Sequence, residues 1–557
     1  MVFLLNLLEL FIKYQILFFY FYFLGRSIVF LFSHYYLKEE NIPDTIFFVN
    51  SKIVYPIIGI VFLGNFLLIA NFFLPLKNIF VLIFMILLII PNIFFTNLNV
   101  SNLIKFENIF NYLIIPLVLI ISSFDILFHY DAGYYHLNNQ NWIYESNIVL
   151  GFVNIFWAFG MSSIYEYISA FFWFDQSYIF LHLINLFFVH FFYTYCVETI
   201  FNGKEKLLKN ASLFLLIFSI LDNFGLGGGR NGFIYIESMG KQDNAIGILF
   251  FFLSITIFIY IKNKEINTFD FVFLPLICLF ALEIKISSAI VVFLYLYLLF
   301  LLIKNKKYKT KDIFLVHVPT LFFSFFWLLK NLLTSGCLVF PISITCINNF
   351  SWFVKGSTTA YQTITVNSSY SIFRFNSIVE MINAYRFEIG DIKNIYTNFL
   401  VSFLILLILR KVFYTKVEDQ LNIKYILISY SLLNIVYLVL YGPIPRYSIG
   451  FQLTLIGMIG LISNELKINI KKPFVYLLIF SSVVLIVRLD SYFYAFSNQE
   501  PKYKSFNPRE AVNYTAFNEY WSIPSNGDQC WVNIRCSMAE SDITIKNENF
   551  FKAAYKK

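Results

Sequence analysis

The sequence predicts an all-α polytopic membrane protein of about fourteen transmembrane helices. Three observations carry that expectation. Of its 557 residues, 59% are hydrophobic and only 13% are charged, against about 25% charge in an ordinary soluble domain. Apolar runs long enough to cross a hydrocarbon layer of ~30 Å recur along most of the chain. The lysines and arginines between those runs fall in short clusters, which is how cytoplasmic loops are marked.

The runs fall in order at 3–24, 53–74, 78–95, 112–130, 177–197, 208–224, 245–262, 268–283, 287–303, 313–332, 397–410, 425–441, 448–465 and 473–488. The stretch 268–303 is divided at ALEIKISS, because it is too long for one span and too apolar for none. The first run, MVFLLNLLELFIKYQILFFYFYFLG, has no basic leader and no small-residue cleavage site, so it reads as a retained span.

Basic clusters at 204–209, 262–264, 304–311, 410–416 and 467–472 all fall on one side of this arrangement. The long loops 131–176, 225–244 and 333–396 and the tail from about 490 fall on the other. The sequence therefore predicts a multi-pass protein of the bacterial inner membrane with its long loops and C-terminal tail extracytoplasmic. The net charge of +8 is a matter of topology on this reading, and no nucleic-acid partner is implied.

Residues 1–489 are expected to form the transmembrane domain and 490–557 an extracytoplasmic tail. The tail holds Cys530 and Cys536, six apart, and an oxidising compartment favours a disulfide between them. Cys337 and Cys346 are a second outward pair. Cys196 and Cys278 lie in spans and read as core filler. No His/Cys spacing marks a zinc site, and no cofactor is called for.

The polar stretch HYDAGYYHLNNQNWIYESN, 129–147, interrupts two apolar runs. It places Asp131 at the outer mouth of the fourth span, with Asp125 and His129 expected on one helix face. The aromatic-rich segment after it, up to 176, lacks a clean span and is expected to form interfacial helices on the outer leaflet. Trp142 reads as an interfacial anchor there, or as a platform for stacking a sugar. A carboxylate beside a lipid surface suits a general base acting on an acceptor hydroxyl, and a departing phosphate needs cations. Asp131 is the candidate base. Arg230, Lys285, Lys330 and Arg446 are the candidate phosphate ligands, with Lys241 a further outward cation. His136 and Glu145 are candidates for orienting the acceptor. GLGGGRNG at 225–232 lacks the Lys-Ser/Thr ending of a P-loop. His182, His190 and His317 read as satisfied core residues.

The pattern D131-A-G-Y-Y-H-L, W142-I-x-E145 and I148-V-x-G151-x-x-N154 resembles a signature of large, mostly uncharacterised bacterial membrane proteins linked to cell-surface polysaccharide. W327-L-L-K-N331-x-x-x-S335-G336 with Pro341, P445-R446-Y447 with Gly450, and Q529-C530-W531 with Cys536 extend the likeness. The broader resemblance is to GT-C glycosyltransferases. It implies transfer of a sugar from a polyprenyl-phosphate donor to a surface glycan or lipid acceptor, with Asp131 as base. The acidic loop here follows the fourth expected span, where GT-C enzymes have it after the first. The alternatives are a polysaccharide polymerase or ligase, for which loop 333–396 with Arg374 and Arg386 is the relevant feature, then a transporter or flippase, then a non-enzymatic assembly protein.

Overall fold

A computed structural model describes residues 1–38, 43–95, 106–161, 163–173, 178–224, 233–306, 308–368, 374–387, 390–413, 428–436, 445–463 and 471–504, and, in the tail, 514–516, 522–525, 527–532, 536–537, 543–548 and 550–556. The chain is mostly helical. Among the described residues, eight helices are long and apolar enough to cross a membrane: Val2–Leu37, Ser51–Phe73, Phe106–Ser123, Ile179–Asn202, Asp243–Asn263, Ile286–Lys304, Thr310–Ser335 and Asn394–Val412. A ninth span results if Lys472–Ile486 and Leu489–Asn498, bent by 74° at Val487 and Arg488, count as one.

Most of the difference from the expected count lies in helix length, although the run at 208–224 forms a helix of 19 residues, Lys206–Phe224, that is not among the eight. The runs at 78–95 and 448–465 form helices of only 9 and 13 residues, Ile79–Leu87 and Ile449–Leu461. Thr268–Ile284 has 17 residues, one short of the length taken to span. Much of the run at 425–441 lies outside the described residues.

The helices sort by burial into a centre and a rim. Asp243–Asn263 is buried along its whole length and Ile179–Asn202 nearly so, whereas Thr310–Ser335 and Asn394–Val412 turn mostly outward. Apolar side chains exposed on the rim, such as Phe314, Phe322, Phe325, Leu400 and Ile408, suit a hydrocarbon solvent. In lipid there is no hydrophobic gain from bringing apolar faces together, so close backbone approach and interhelical hydrogen bonds matter more. Gly25 and Gly59 supply the first: a Cβ on Gly25 would stand 1.8 Å from the Tyr55 carbonyl oxygen, and one on Gly59 2.0 Å from that of Phe21. The histidines supply the second. His190 takes a hydrogen bond from the Tyr14 hydroxyl at Nδ1 (2.7 Å) and donates from Nε2 to the Asn111 carbonyl (2.7 Å).

At the end of the bundle where the long loops lie, the chain breaks into short helices, Leu137–Glu145, Phe152–Asn154, Trp157–Met161 and Ile164–Phe171. These were expected to lie on the lipid surface. Instead they are covered by protein. Trp142, Phe152, Ile155, Phe156 and Phe159 form a second apolar core with Ile543 and Ala554 of the tail. The strand Val149–Leu150 pairs in parallel with Phe551–Lys556, which pairs antiparallel with Ile543–Glu548. Trp142 is therefore no headgroup anchor: the tail gives its apolar ring a drier place than a lipid interface would.

The structure joins Cys530 to Cys536 and Cys337 to Cys346, and leaves Cys196 and Cys278 as buried thiols. Asp125 and His129 do not share a helix, because the helical backbone ends at Ser123.

Candidate functional site

Two extended segments lie side by side beneath the tail. His129 N–H donates to the Met239 carbonyl at 2.9 Å, and Phe128 bridges to Met239. Gly240 follows with φ +82°, and a Cβ there would lie 2.5 Å from that of Ala132. A left-handed, side-chain-free residue is what lets the second segment close onto the first. The consequence is chemical: Lys241 Nζ donates to Asp131 Oδ2 as a close ion pair.

That pair opens a chain of alternating charges. Arg446 lies 3.9 Å from Asp131 Oδ2 through Nη1 and 3.9 Å from Asp243 Oδ2 through Nε. Asp243 also accepts from Lys285 Nζ. Tyr447 backs the cations: Lys285 Nζ stands 4.1 Å from its ring centroid, and Arg446 Nη2 donates to its hydroxyl at 3.3 Å. Lys241, Lys285 and Arg446 against Asp131 and Asp243 leave one positive charge in excess. Asp243 is nearly inaccessible and Arg446 Nε is buried without a hydrogen-bond partner. Such groups are costly to bury unless paired, and here the pairing is incomplete on the cationic side.

The five side chains line a cavity of about 280 Å³. Burial alone would raise the Asp131 pKa, but the charge and hydrogen bond of Lys241 more than offset it, and the carboxyl ionises below its usual range. His129, part-buried beside Lys241, is held down to about 4 and is neutral. It accepts from the Asp131 N–H at Nδ1, 3.1 Å.

A second group of polar side chains enters the same cavity. His136 shares a close hydrogen bond through Nδ1 with Glu166. Gln140 Nε2 donates to the other Glu166 oxygen at 2.6 Å, and Trp173 Nε1 donates to Gln140 at 2.9 Å. A ring whose Nδ1 is committed to a carboxylate keeps Nε2 for a ligand. Opposite, Trp327 Nε1, Glu283 Oε1 and Gln242 Oε1 are buried and unpartnered, and all three residues line the cavity. Buried polar atoms are normally satisfied, so these three atoms are open to hydrogen bonds with a polar ligand or with water. Among the described residues, no three His, Cys, Asp or Glu side chains are grouped to hold a metal.

Of the residues singled out in the sequence, Asp131, His136, Lys285 and Arg446 meet at this cavity. Lys330 does not. It is 1% exposed and lies near Glu283, whose charge acts on it. Glu145 is paired with Lys77 at the protein surface, and Trp142 is in the second apolar core. Arg230 lies outside the described residues, as does the side chain of Arg386. Arg374 lines a separate surface concavity with Phe375 and Glu380. Asp243 and Glu166 had not been singled out, and Lys241 had been noted without its partner. The K241-Q-D243 run just before an apolar span was the signal available for two of them.

Several of the segments on which the sequence resemblance rests converge. Asp131, Tyr135, His136, Trp327, Asn331, Pro341, Arg446 and Tyr447 line one cavity. Cys530 N–H donates to the Gly133 carbonyl at 2.7 Å, and the Trp531 ring occupies the space where a Cβ on Gly133 would be. Residues 7–453 match the family described as Domain of unknown function (DUF8201). The chain belongs to that family. The matched region contains every charged residue of the cavity and ends before the tail that packs on the short helices. No curated protein and no solved structure matches the chain.

Proposed function

We propose that the protein is a GT-C-like membrane glycosyltransferase, moving a sugar from a polyprenyl-phosphate donor to a cell-surface glycan or lipid on the outer face of the inner membrane. The observation that carries this reading is the ion-pair chain: Lys241, Lys285 and Arg446 share one cavity with Asp131. Three cations suit a phosphate that gains charge as its glycosidic bond breaks. Trp327, Glu283 and His136 offer the hydrogen-bonding groups that sugar hydroxyls require.

The mechanism follows from competition for Lys241. In the free site its charge holds Asp131 ionised and weakly basic. A donor phosphate entering among the three cations draws Lys241 away from the carboxylate. Asp131 then becomes a stronger base beside the departing group. It takes the proton of the acceptor hydroxyl as the hydroxyl oxygen bonds to the anomeric carbon and the carbon–oxygen bond to phosphate breaks. The cations stabilise the released lipid phosphate, and the proton ends on Asp131. Arg446 sits between both carboxylates and keeps Asp243 from competing with the base.

Asp131→Asn, shown to be expressed and inserted, is expected to lower transfer by 10²–10⁴-fold, the range of a lost general base. The measurement is radiolabelled sugar transfer in membranes, with analysis of surface glycan. Unchanged glycan in that variant would remove the proposal. Single unpolymerised repeat units, in place of truncated ones, would point to a polymerase.

A further inference from the structure

A larger cavity of about 670 Å³ lies behind the first. The same two segments divide them: His129 and Glu237 face the larger one, while Asp131 and Asp243 face the smaller. Its outer wall is the helix Leu489–Asn498, turned 74° from the helix before it. Leu489, Phe493 and Phe496 are 74%, 69% and 63% exposed. Their i, i+4, i+7 spacing puts them on one face, the pattern of a helix lying in a bilayer surface. Asp490, Ser491, Ser497 and Asn498 of that helix line the cavity, so its mouth is at headgroup level.

Arg488, at the bend, also lines it. Its side chain makes no salt bridge and no hydrogen bond among the described residues. Lys502 adds a second cation, standing over the Tyr494 ring at 4.4 Å. Asp125 and Asp490 balance them, Asp125 accepting from Ser491 Oγ at 2.5 Å. The inner wall holds Glu237, 2% exposed, with Oε2 buried and unpartnered. This is a different electrostatic design from the first cavity. Arg488 and Lys502 are matched in number by Asp125 and Asp490, so a simple anion gains little, and a head carrying both signs matches both.

We infer that this cavity binds the headgroup of a zwitterionic phospholipid of the ethanolamine type. Its phosphate lies on Arg488 and Lys502. Its ammonium lies among Asp125, Asp490 and Glu237, and its acyl chains pass over Phe493 into the bilayer. The inference does not rest on the transfer reaction, since none of the residues it assigns to the lipid takes part in that mechanism.

The test is native mass spectrometry of delipidated full-length protein in maltoside, given palmitoyl-oleoyl phosphatidylethanolamine or the matching phosphatidylglycerol. The expected result is one phosphatidylethanolamine per chain, held at least tenfold better than phosphatidylglycerol. Arg488→Gln and Asp490→Asn should each weaken it at least fivefold, and Asp131→Asn should not. Equal retention of phosphatidylglycerol overturns the inference, as does full binding by Arg488→Gln or loss with Asp131→Asn. If Arg488→Gln is not monodisperse, Lys502→Gln carries the same comparison.

Discussion

Asp131 and Glu237 titrate in opposite directions although they flank one pair of segments. Asp131 is drawn below its usual range because Lys241 more than offsets its burial. Its contribution to stability is present above the ordinary carboxylate pKa and is lost as pH falls through the folded value. Glu237 is buried and repelled by the Asp243 charge, and its pKa is pushed up to about 7. The folded protein therefore binds that proton more tightly than the unfolded chain does. The stability this confers is complete below the ordinary pKa of about 4.3 and is lost as pH rises through about 7. Thermal unfolding in detergent between pH 4.5 and 8 should show a Tm that declines over that window. Glu237→Gln should flatten the decline, and an equally steep profile in the variant would rule out this residue as its source.

Among the elements, the long helices were legible because uninterrupted apolar runs leave the backbone no other way to satisfy its hydrogen bonds in lipid. The pairs Cys530–Cys536 and Cys337–Cys346 were legible from spacing and the side of the membrane expected for them. Lys285 and Arg446 were named as outward cations, but their convergence on one cavity with Asp131 could not be read from the sequence. What could not be read was which cation meets which carboxylate. Lys241 and Asp131 are 110 residues apart, and no local periodicity records such a contact. The short helices were misplaced for a related reason. An amphipathic aromatic segment looks the same whether lipid or a distant piece of chain covers it, and Asn154 shows which applies. Its amide donates to the Trp352 carbonyl at 2.8 Å and to the Ala554 carbonyl at 2.9 Å, tying three distant segments together. Asn154→Ala strands both acceptors and is expected to cost about 1–3 kcal/mol. Faster proteolysis of residues 543–556 in the variant is the readout, and unchanged protection would mean the strand pairing alone holds the tail.

At the scale of the molecule, the ion-pair cavity and the larger cavity lie together at one end of the bundle, on either side of the paired segments that carry His129 and Asp131. The orientation expected from the basic clusters makes that end the outward one. Single cysteines at exposed Lys264 and Glu500 test it, because Cys196 and Cys278 are buried and the other four are in disulfides. In intact spheroplasts an impermeant maleimide should label Glu500→Cys, and Lys264→Cys only after permeabilisation. The reverse pattern would turn the molecule over.

The strand Phe551–Lys556 sits in the middle of its three-stranded sheet, between Val149–Leu150 and Ile543–Glu548. Asn154 and its partner Ala554 are 400 residues apart. A ribosome adding 5–20 residues per second needs about 20–80 s to make that interval. Throughout that time the short helices have been synthesised and the strand that covers them does not exist. Each new chain therefore spends a long adolescence with an oily, charged surface open to its surroundings. Anything that guards it in that interval acts on a shape the finished protein never shows.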